Sequence, residues 1–175
     1  MTIIDAAFAR DLAAALAIGP NQLIALLNAQ FTSLPGIRTV TWLATAPDLS
    51  VTHRIGTSDA KDFPIGGSDP ISEDDPWCRR IFGSKRAVIG NTPVEMAAFI
   101  PETDDLIAMG YGATMCSPIV IGGEVRGTVN ILGDAGCLTI TVQEGVAALL
   151  PLAALVFTYP GISDRYAADQ KSKPI

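Results

Sequence analysis

The chain has 175 residues, of which 49% are hydrophobic and 17% are charged, with 12 Lys and Arg against 18 Asp and Glu. This length predicts one domain, and the apolar composition excludes an intrinsically disordered chain. The formal net charge of −6 repels a phosphate backbone, and no basic stripe interleaved with aromatic residues occurs, so we expect no nucleic-acid partner.

The cysteine pattern and the N-terminus favour a cytoplasmic protein. The three cysteines are odd in number and widely spaced, which favours reduced thiols over a disulfide framework. The first residues lack the basic segment of a secretory signal, and Arg10 and Asp11 interrupt the apolar run that follows.

Two helices are predicted at the beginning of the chain. Residues 6–16 place apolar side chains at helical spacing. Gly19 and Pro20 end this run, and proline is well placed in the first turn of a new helix. We therefore expect the second helix over residues 21–31.

Two strands and a long loop come next. Residues 38–46 are rich in β-branched and aromatic side chains, and residues 50–55 alternate apolar with polar ones. The short link between them suits a hairpin turn. Residues 56–75 are predicted as a long ordered loop with a short strand around residues 62–65. His53, the only histidine, is expected to be at the surface or half-buried.

Short elements are predicted in the middle of the chain. A helix is expected over residues 75–84, capped by the acidic run at residues 72–75, because acidic residues at a helix N-terminus offset its dipole. The Pro residues in this region argue against a calcium loop. A strand follows at residues 87–90, and short helices are expected at residues 93–98 and 102–109.

A β-hairpin is the clearest local signal in the sequence. Residues 113–121 and 124–132 are strand-like, and they are joined by Gly122 and Gly123, which accept the positive φ angles of a two-residue turn. A final apolar helix is expected over residues 141–157. Its most apolar part is short for a membrane span, so we interpret this helix as buried and expect no membrane partner.

The order of these elements predicts an α+β fold with an antiparallel sheet. Residues 116–132, with the sequence CSPIVIGGEVRGTVNIL, resemble the C-terminal hairpin of GAF domains. Residues 141–157 are similar to that family's closing helix, and residues 77–89 to its helix-turn-strand unit. The resemblance implies a central antiparallel sheet with the N- and C-terminal helices on one face and short helices and loops over the other.

The GAF resemblance also implies a function, because these domains are mostly small-molecule sensors and dimerisation modules. We therefore divide the chain into an N-terminal helix at residues 1–19, a GAF-like sensor domain at residues 20–159 and, because its residues are polar and charged, a flexible tail at residues 160–175. We expect a homodimer through the N- and C-terminal helices, and a signal that passes to a separate partner. A ligand-free dimerisation scaffold is a second alternative.

A small organic ligand is expected between the sheet and residues 77–111. Apolar walls with a few directed hydrogen-bonding groups are typical of such sites. The same residues would also serve as core packing beneath the short helices, and this alternative stays open. The candidates are Trp77, Asn91, Thr92, Met96, Phe99, Met109, Tyr111, Met115, Ser117 and Asn130.

An enzymatic alternative comes from one GAF branch, which reduces free methionine sulfoxide with thiols. Cys78 and Cys116 are the candidate catalytic residues, and the place of Cys78 in a predicted helix beside Arg79 and Arg80 suits the lowered pKa that thiolate chemistry needs. Buried, inert thiols are the alternative. The acidic residues of that branch have no counterpart just upstream of the hairpin, which argues against the activity.

Other chemistries have less support. One histidine and scattered thiols do not form a zinc set, and neither a nucleophile elbow nor a phosphate-binding glycine loop occurs. Bilin-binding GAF domains have a Cys-His pair, whereas Ser117 follows Cys116 here. The residue set of the cyclic-nucleotide branch cannot be assembled from this sequence. The ligand therefore stays unidentified, and no metal is expected.

Overall fold

The computed structural model describes residues 5–163, which form one six-stranded sheet with helices around it. A π-helix (Arg79–Gly83) and a 3-10 helix (Leu155–Thr158) extend two of the α-helices. The main elements in chain order are α1 (Ala6–Ile18), α2 (Pro20–Thr32), β1 (Ile37–Thr45), β2 (Val51–Thr57), β3 (Ser68–Pro70), α3 (Pro76–Cys78), β4 (Val88–Gly90), α4 (Pro93–Ala97), α5 (Thr103–Ala108), β5 (Ala113–Ile121), β6 (Glu124–Gly133) and α6 (Ile140–Ala154).

The sheet is antiparallel throughout, and its strand order is β3-β2-β1-β6-β5-β4. Strands β1 and β6 are therefore central, although residues 46–123 separate them in sequence. The predicted α+β class with a central antiparallel sheet is confirmed.

The two faces of the sheet differ in what covers them, because side chains alternate along each strand. Val40, Trp42 and Ala44 of β1 lie on the helix face, where α2 and α6 complete the main apolar core. The loop face carries Thr41 and Leu43, and the short helices in the middle of the chain pack on this side. Helix α1 packs mainly on α2.

The short strand predicted around residues 62–65 is wrong. That segment forms turns, and β3 lies at Ser68–Pro70, where it pairs with the outer edge of β2. The expectation for His53 is wrong for the same reason. β3 pairs alongside it, so the ring is buried and Nδ1 lies 2.8 Å from Ser68 Oγ.

The predicted helix at residues 75–84 is confirmed in position, with Asp75 as its N-cap. The Asp75 carboxylate accepts hydrogen bonds from the backbone N–H groups of Trp77 and Cys78, at 2.6 and 3.0 Å. After Cys78 the chain widens into the π-helix, a form that occurs mostly as short local insertions.

The predicted hairpin is confirmed in register and turn. Gly122 and Gly123 have φ angles of 62° and 86°, the left-handed values that a type I′ turn requires at both central positions. The hairpin places β5 beside β6, one of the two central strands of the sheet.

The closing helix is longer than the sequence analysis assumed. Together with the 3-10 helix it spans Ile140–Thr158, 19 residues with a hydropathy of 1.8, and 39% of this span is buried. It is thus long and apolar enough to cross a membrane, a test that core helices also pass. Its buried side packs on α2 and β5. Of the predicted tail, Ile162 is buried, and residues 164–175 lie outside the described part.

Candidate functional site

The centre of the loop face is polar, although it lies inside the protein. Cross-strand register places Thr41 opposite Asn130, and Leu43 opposite both Thr128 and Arg54. Residues that face each other in this way share one side of the sheet, with Cβ atoms roughly 4.5–5.5 Å apart. We call Thr41, Leu43, Thr45, Arg54, Thr128 and Asn130 the polar centre.

Four side-chain atoms of the polar centre are buried without a hydrogen-bond partner in the described part of the chain. They are Thr45 Oγ1, Arg54 Nε, Thr128 Oγ1 and Asn130 Oδ1. Asn130 donates only a long bond, 3.5 Å from Nδ2 to Thr41 Oγ1. An unpaired buried polar group costs roughly 1–3 kcal/mol. Four such atoms therefore lie together on one face of the sheet.

Two apolar clusters flank the polar centre. The first brings Phe63, Met96, Leu106 and Tyr111 together over Leu132 of β6. The second lies over β4 and β5, and it contains Ile81, Val88, Cys116 and Val125, with Trp77, Phe82, Phe99 and Ile100 packed against it. Leu43 is buried but belongs to neither cluster nor to the main core. The polar centre thus separates the two apolar clusters of the loop face.

Arg54 is the cation of the polar centre. Its Nη1 donates to the Pro64 carbonyl at 3.1 Å, and its guanidinium carbon lies 5.7 Å from the centre of the Phe63 ring. Burial lowers the pKa of Arg54, whereas the charge of Asp69 raises it. Among the described residues Arg54 makes no ion pair within 4 Å, so no carboxylate neutralises its charge by direct contact.

Two cavities are found among the described residues near this face, and the first includes Thr45 of the polar centre in its lining. One of about 80 Å³ is at the end of the sheet where Thr45 and Val125 lie. A more open one of about 280 Å³ is lined by Gly36, Asp134 and Cys137. Neither cavity is lined by Arg54, Thr128 or Asn130, because the short helices and the loop before β3 cover this part of the face.

Five of the predicted ligand residues lie on the loop face. Asn130 is in the polar centre, and Met96 and Tyr111 belong to the first apolar cluster. Tyr111 is also held by its hydroxyl, 2.7 Å from Thr39 Oγ1. Trp77 and Phe99 are half-buried and pack on the second cluster.

The other five predicted ligand residues do not lie at the polar centre or in the apolar clusters that flank it. Met115 and Ser117 lie opposite Ile131 and Val129, so their side chains are on the helix face. Met109 is 38% exposed.

Asn91 and Thr92 have local structural roles. Asn91 Oδ1 accepts from the Leu138 N–H at 2.8 Å, which ties β4 to the beginning of α6. Thr92 is the N-cap of α4, and its hydroxyl accepts from the Glu95 N–H at 3.3 Å.

The candidate catalytic thiols are poor nucleophiles in this arrangement. Burial is the main cause that raises the pKa of Cys78, and the charges of Asp75 and Asp69 raise it further. Burial also raises the pKa of Cys116, more than hydrogen bonds from Trp77 and Thr114 lower it. A thiol with a raised pKa supplies little of the reactive thiolate.

Arg79 and Arg80 are not among the groups that shift the pKa of Cys78, and their guanidinium groups contact backbone carbonyls. Arg79 Nη1 donates to the carbonyls of Glu73 and Asp74, at 3.2 and 3.0 Å. Arg80 Nε donates to the Ala87 carbonyl at 3.1 Å. Within residues 5–163, no group of three or more His, Cys, Asp or Glu side chains is placed to hold a metal ion.

The sequence analysis missed Arg54 and the threonines of the polar centre. A signal was present, because Thr39, Thr41 and Thr45 recur at odd positions of a predicted strand, and Thr128 and Asn130 at even positions of another. Polar side chains with this period of two mark one face of a strand. Their convergence depends on the pairing of β1 with β6, which local sequence does not reveal.

An antiparallel sheet with α2 and α6 on one face and short helices over a partly polar second face defines the GAF class of fold. Solved structures agree. A GAF domain from an Acinetobacter phosphoenolpyruvate-protein phosphotransferase matches with a TM-score of 0.62 and 8% identity, covering 87% of this chain and 94% of that one. A GAF domain/HD domain protein from Geobacter sulfurreducens matches with a TM-score of 0.62 and 16% identity, covering 79% and 92%.

A third match is the GAF domain of a two-component sensor histidine kinase from Bacillus halodurans. Its TM-score is 0.61 and its identity 12%, and the match covers 77% of this chain and 90% of that one. No family model matches the sequence, and no curated protein matches it significantly. The chain therefore has a GAF-like fold, as the hairpin and the closing helix predicted.

Proposed function

We propose that this protein is a cytoplasmic sensor domain that binds a small organic molecule at the polar centre. The observation that carries the proposal is the group of four buried polar atoms without partners on one face of the sheet. Flanking apolar clusters and a few directed polar groups are the usual composition of a small-molecule site.

The loop over Arg54 is the part of the cover that would move when the ligand enters. It is tied to β2 by backbone hydrogen bonds from Arg54 N to Gly67 O at 2.9 Å and from Gly66 N to Arg54 O at 3.0 Å. Ligand binding would shift the protein toward an open or reordered form of this loop, provided that the ligand binds that form better. The change would pass to a separate signalling partner, as the histidine kinase neighbour suggests.

A homodimer through the terminal helices is part of the same proposal. Helix α1 has only Arg10 and Asp11 as charged residues in 13, and α6 has only Glu144 in 15. Ala147 and Ala148 are exposed on α6, and Ile18 at the end of α1 is 74% exposed. A surface with so few charges favours a second copy related by two-fold symmetry, the commonest form of association.

The charge-poor helices also favour a second candidate, a dimerisation scaffold that binds no ligand. The covered loop face is consistent with it. A scaffold function does not explain why four buried polar atoms lack hydrogen-bond partners, so we place it second.

Native mass spectrometry of freshly purified protein tests the proposal. We expect an added mass on each protomer that disappears on denaturation. The variant Asn130→Leu should lose this mass, whereas Thr114→Val, whose hydroxyl already bonds the Ile131 carbonyl at 3.1 Å, should keep it. A protein that carries no added mass and is not stabilised by any compound of a small-molecule library would contradict the proposal and support the scaffold.

A further inference from the structure

The polar centre has an uneven chemistry that restricts what it can bind. Its cation, Arg54, is half-buried, and its buried Nε–H has no acceptor among the described residues. An arginine side chain has only donors, and its planar fork matches the two oxygens of a carboxylate or phosphate. The other unpaired groups are hydroxyls that can donate, and the Asn130 carbonyl oxygen, which accepts.

The neighbouring charges do not neutralise Arg54. The carboxylate that acts on it is Asp69, which is exposed on the edge strand β3 and makes no ion pair with it within 4 Å. No acidic side chain belongs to the polar centre itself. The whole protein has a net charge of −6, so an anion would be held here by local contacts and not by the overall field.

The register places hydroxyl groups within reach of the same ligand. Thr128 and Arg54 are both opposite Leu43, on either side of β1, and Thr45 is two residues further along that strand. Neighbouring strands are roughly 4.8 Å apart, so the backbones of β2 and β6 are separated by about twice that distance, with Leu43 between them. A ligand whose anionic group is bound to Arg54 must therefore extend over Leu43 to reach Thr45 and Thr128. Both threonines are almost fully buried, at 4% and 0% exposure.

We infer that the ligand of the polar centre carries an oxyanion, a carboxylate or a phosphate, that accepts the Nε–H of Arg54, and that the rest of the ligand extends over Leu43 to the hydroxyl groups of Thr45 and Thr128. This inference depends on the proposed sensor function. It adds the chemical class of the ligand and assigns Arg54 as the residue that selects it. A charge-assisted bond is roughly twice as strong as a neutral one, so the loss of Arg54 should weaken binding by about tenfold or more.

The test is a nuclear magnetic resonance titration of the whole chain, labelled with ¹⁵N. It follows two signals, the Arg54 Nε–H group and the Asn130 side-chain amide. The probes are acetate, succinate, benzoate and inorganic phosphate at constant ionic strength. Acetamide, succinamide and benzamide are the neutral counterparts. The variant Arg54→Lys identifies the Nε–H signal of Arg54, because that signal disappears. Arg79→Lys identifies the signal of Arg79, an exposed arginine that serves as the internal control.

We expect at least one oxyanion to move the Arg54 and Asn130 signals saturably, with no change at Arg79 and none with the amides. In Arg54→Gln, the dissociation constant obtained from the Asn130 signal should then rise by about tenfold or more. The probe that acts at the lowest concentration distinguishes a carboxylate from a phosphate.

Two other results would overturn the inference. If the amides move the Asn130 signal as strongly as the acids while Arg54 is unaffected, the site binds neutral molecules, and the sensor function stands without this ligand class. If no probe moves either signal, the oxyanion site is refuted. The proposed function is then decided separately by the mass bound to freshly purified protein.

Discussion

Thr128 and Thr114 are buried threonines on the same face of the sheet, and they differ in what their hydroxyl groups contact. Thr128 Oγ1 has no partner, whereas Thr114 Oγ1 donates to the Ile131 carbonyl at 3.1 Å. We expect Thr128→Val to raise the free energy of unfolding by about 1 kcal/mol, because an unpaired buried hydroxyl is removed. Thr114→Val should lower it by about 1 kcal/mol.

Urea denaturation of the ligand-free protein measures both values. If Thr128→Val is destabilising to the same degree as its control, the Thr128 hydroxyl has a protein partner in solution. The polar centre would then lose one of its binding groups.

The Cys116 thiol makes stability depend on pH in a predictable direction. Burial raises its pKa above the ordinary value of 9.0, so the folded protein keeps this proton at a pH where the unfolded chain releases it. The free energy of unfolding should therefore fall as pH rises through about 9.

Cys116→Ala should reduce this decline, by up to about 1.4 kcal/mol per pH unit. Thermal unfolding of both proteins between pH 7 and roughly 10.5 checks the prediction. An identical decline in the variant would mean that the thiol ionises equally in both states. Such a result would also reopen the reductase alternative.

The residues of the site were only partly predictable from sequence. Met96, Phe99 and Tyr111 were found because apolar residues on short helices mark the cover of a sheet. Asn91 and Thr92 were misleading, because a polar side chain beside a short helix is as often a cap as a ligand group. Arg54 could not be assigned, since its burial depends on a loop that folds back onto β2.

At the scale of elements, strand β6 makes a close contact that permits only glycine. A Cβ atom on Gly127 would overlap the Leu43 carbonyl oxygen and the Phe157 ring. We expect Gly127→Ala to lower the free energy of unfolding by about 1–3 kcal/mol, because the crowded core must shift. Gly83→Ala, where a Cβ meets nothing within 4 Å, is the matched control and should stay within about 0.5 kcal/mol.

Chemical denaturation is again the measurement for this pair. An unchanged midpoint in Gly127→Ala would show that β6 and the end of α6 are not packed as described. The test matters for the site, because β6 also carries Thr128 and Asn130.

Elements whose residues favour their own secondary structure were predicted well. Elements that form only by pairing with a distant part of the chain were not. The β5–β6 hairpin follows from two glycines between two strand-like runs, and α2 begins at the proline that marks it. Strand β3 was misplaced because three residues carry little strand preference of their own, and they form a strand by pairing with β2. Its position in turn decided the burial of His53.

At the scale of the whole molecule, the dimer proposal depends on the charge-poor outer side of α6. Ala148→Glu introduces a charge on this exposed side. We expect it to convert the dimer to a monomer, because a two-fold interface buries each substitution twice. Ala98→Glu, exposed just after α4 on the other side of the sheet, should leave the dimer unchanged.

Sedimentation velocity reports the association state of the three proteins directly. A wild-type monomer at micromolar concentration would refute the dimer, and so would a dimer that survives Ala148→Glu. Sensor function without dimerisation would then require a signalling surface other than the helix face.

The most direct test of the central claim is a crystal structure of protein purified without added ligands. The account predicts non-protein electron density within hydrogen-bond distance of Thr128 Oγ1 and Asn130 Oδ1, with the loop before β3 displaced to admit it. A polar centre whose side chains have turned to bond one another, with no density beside them, would contradict the account.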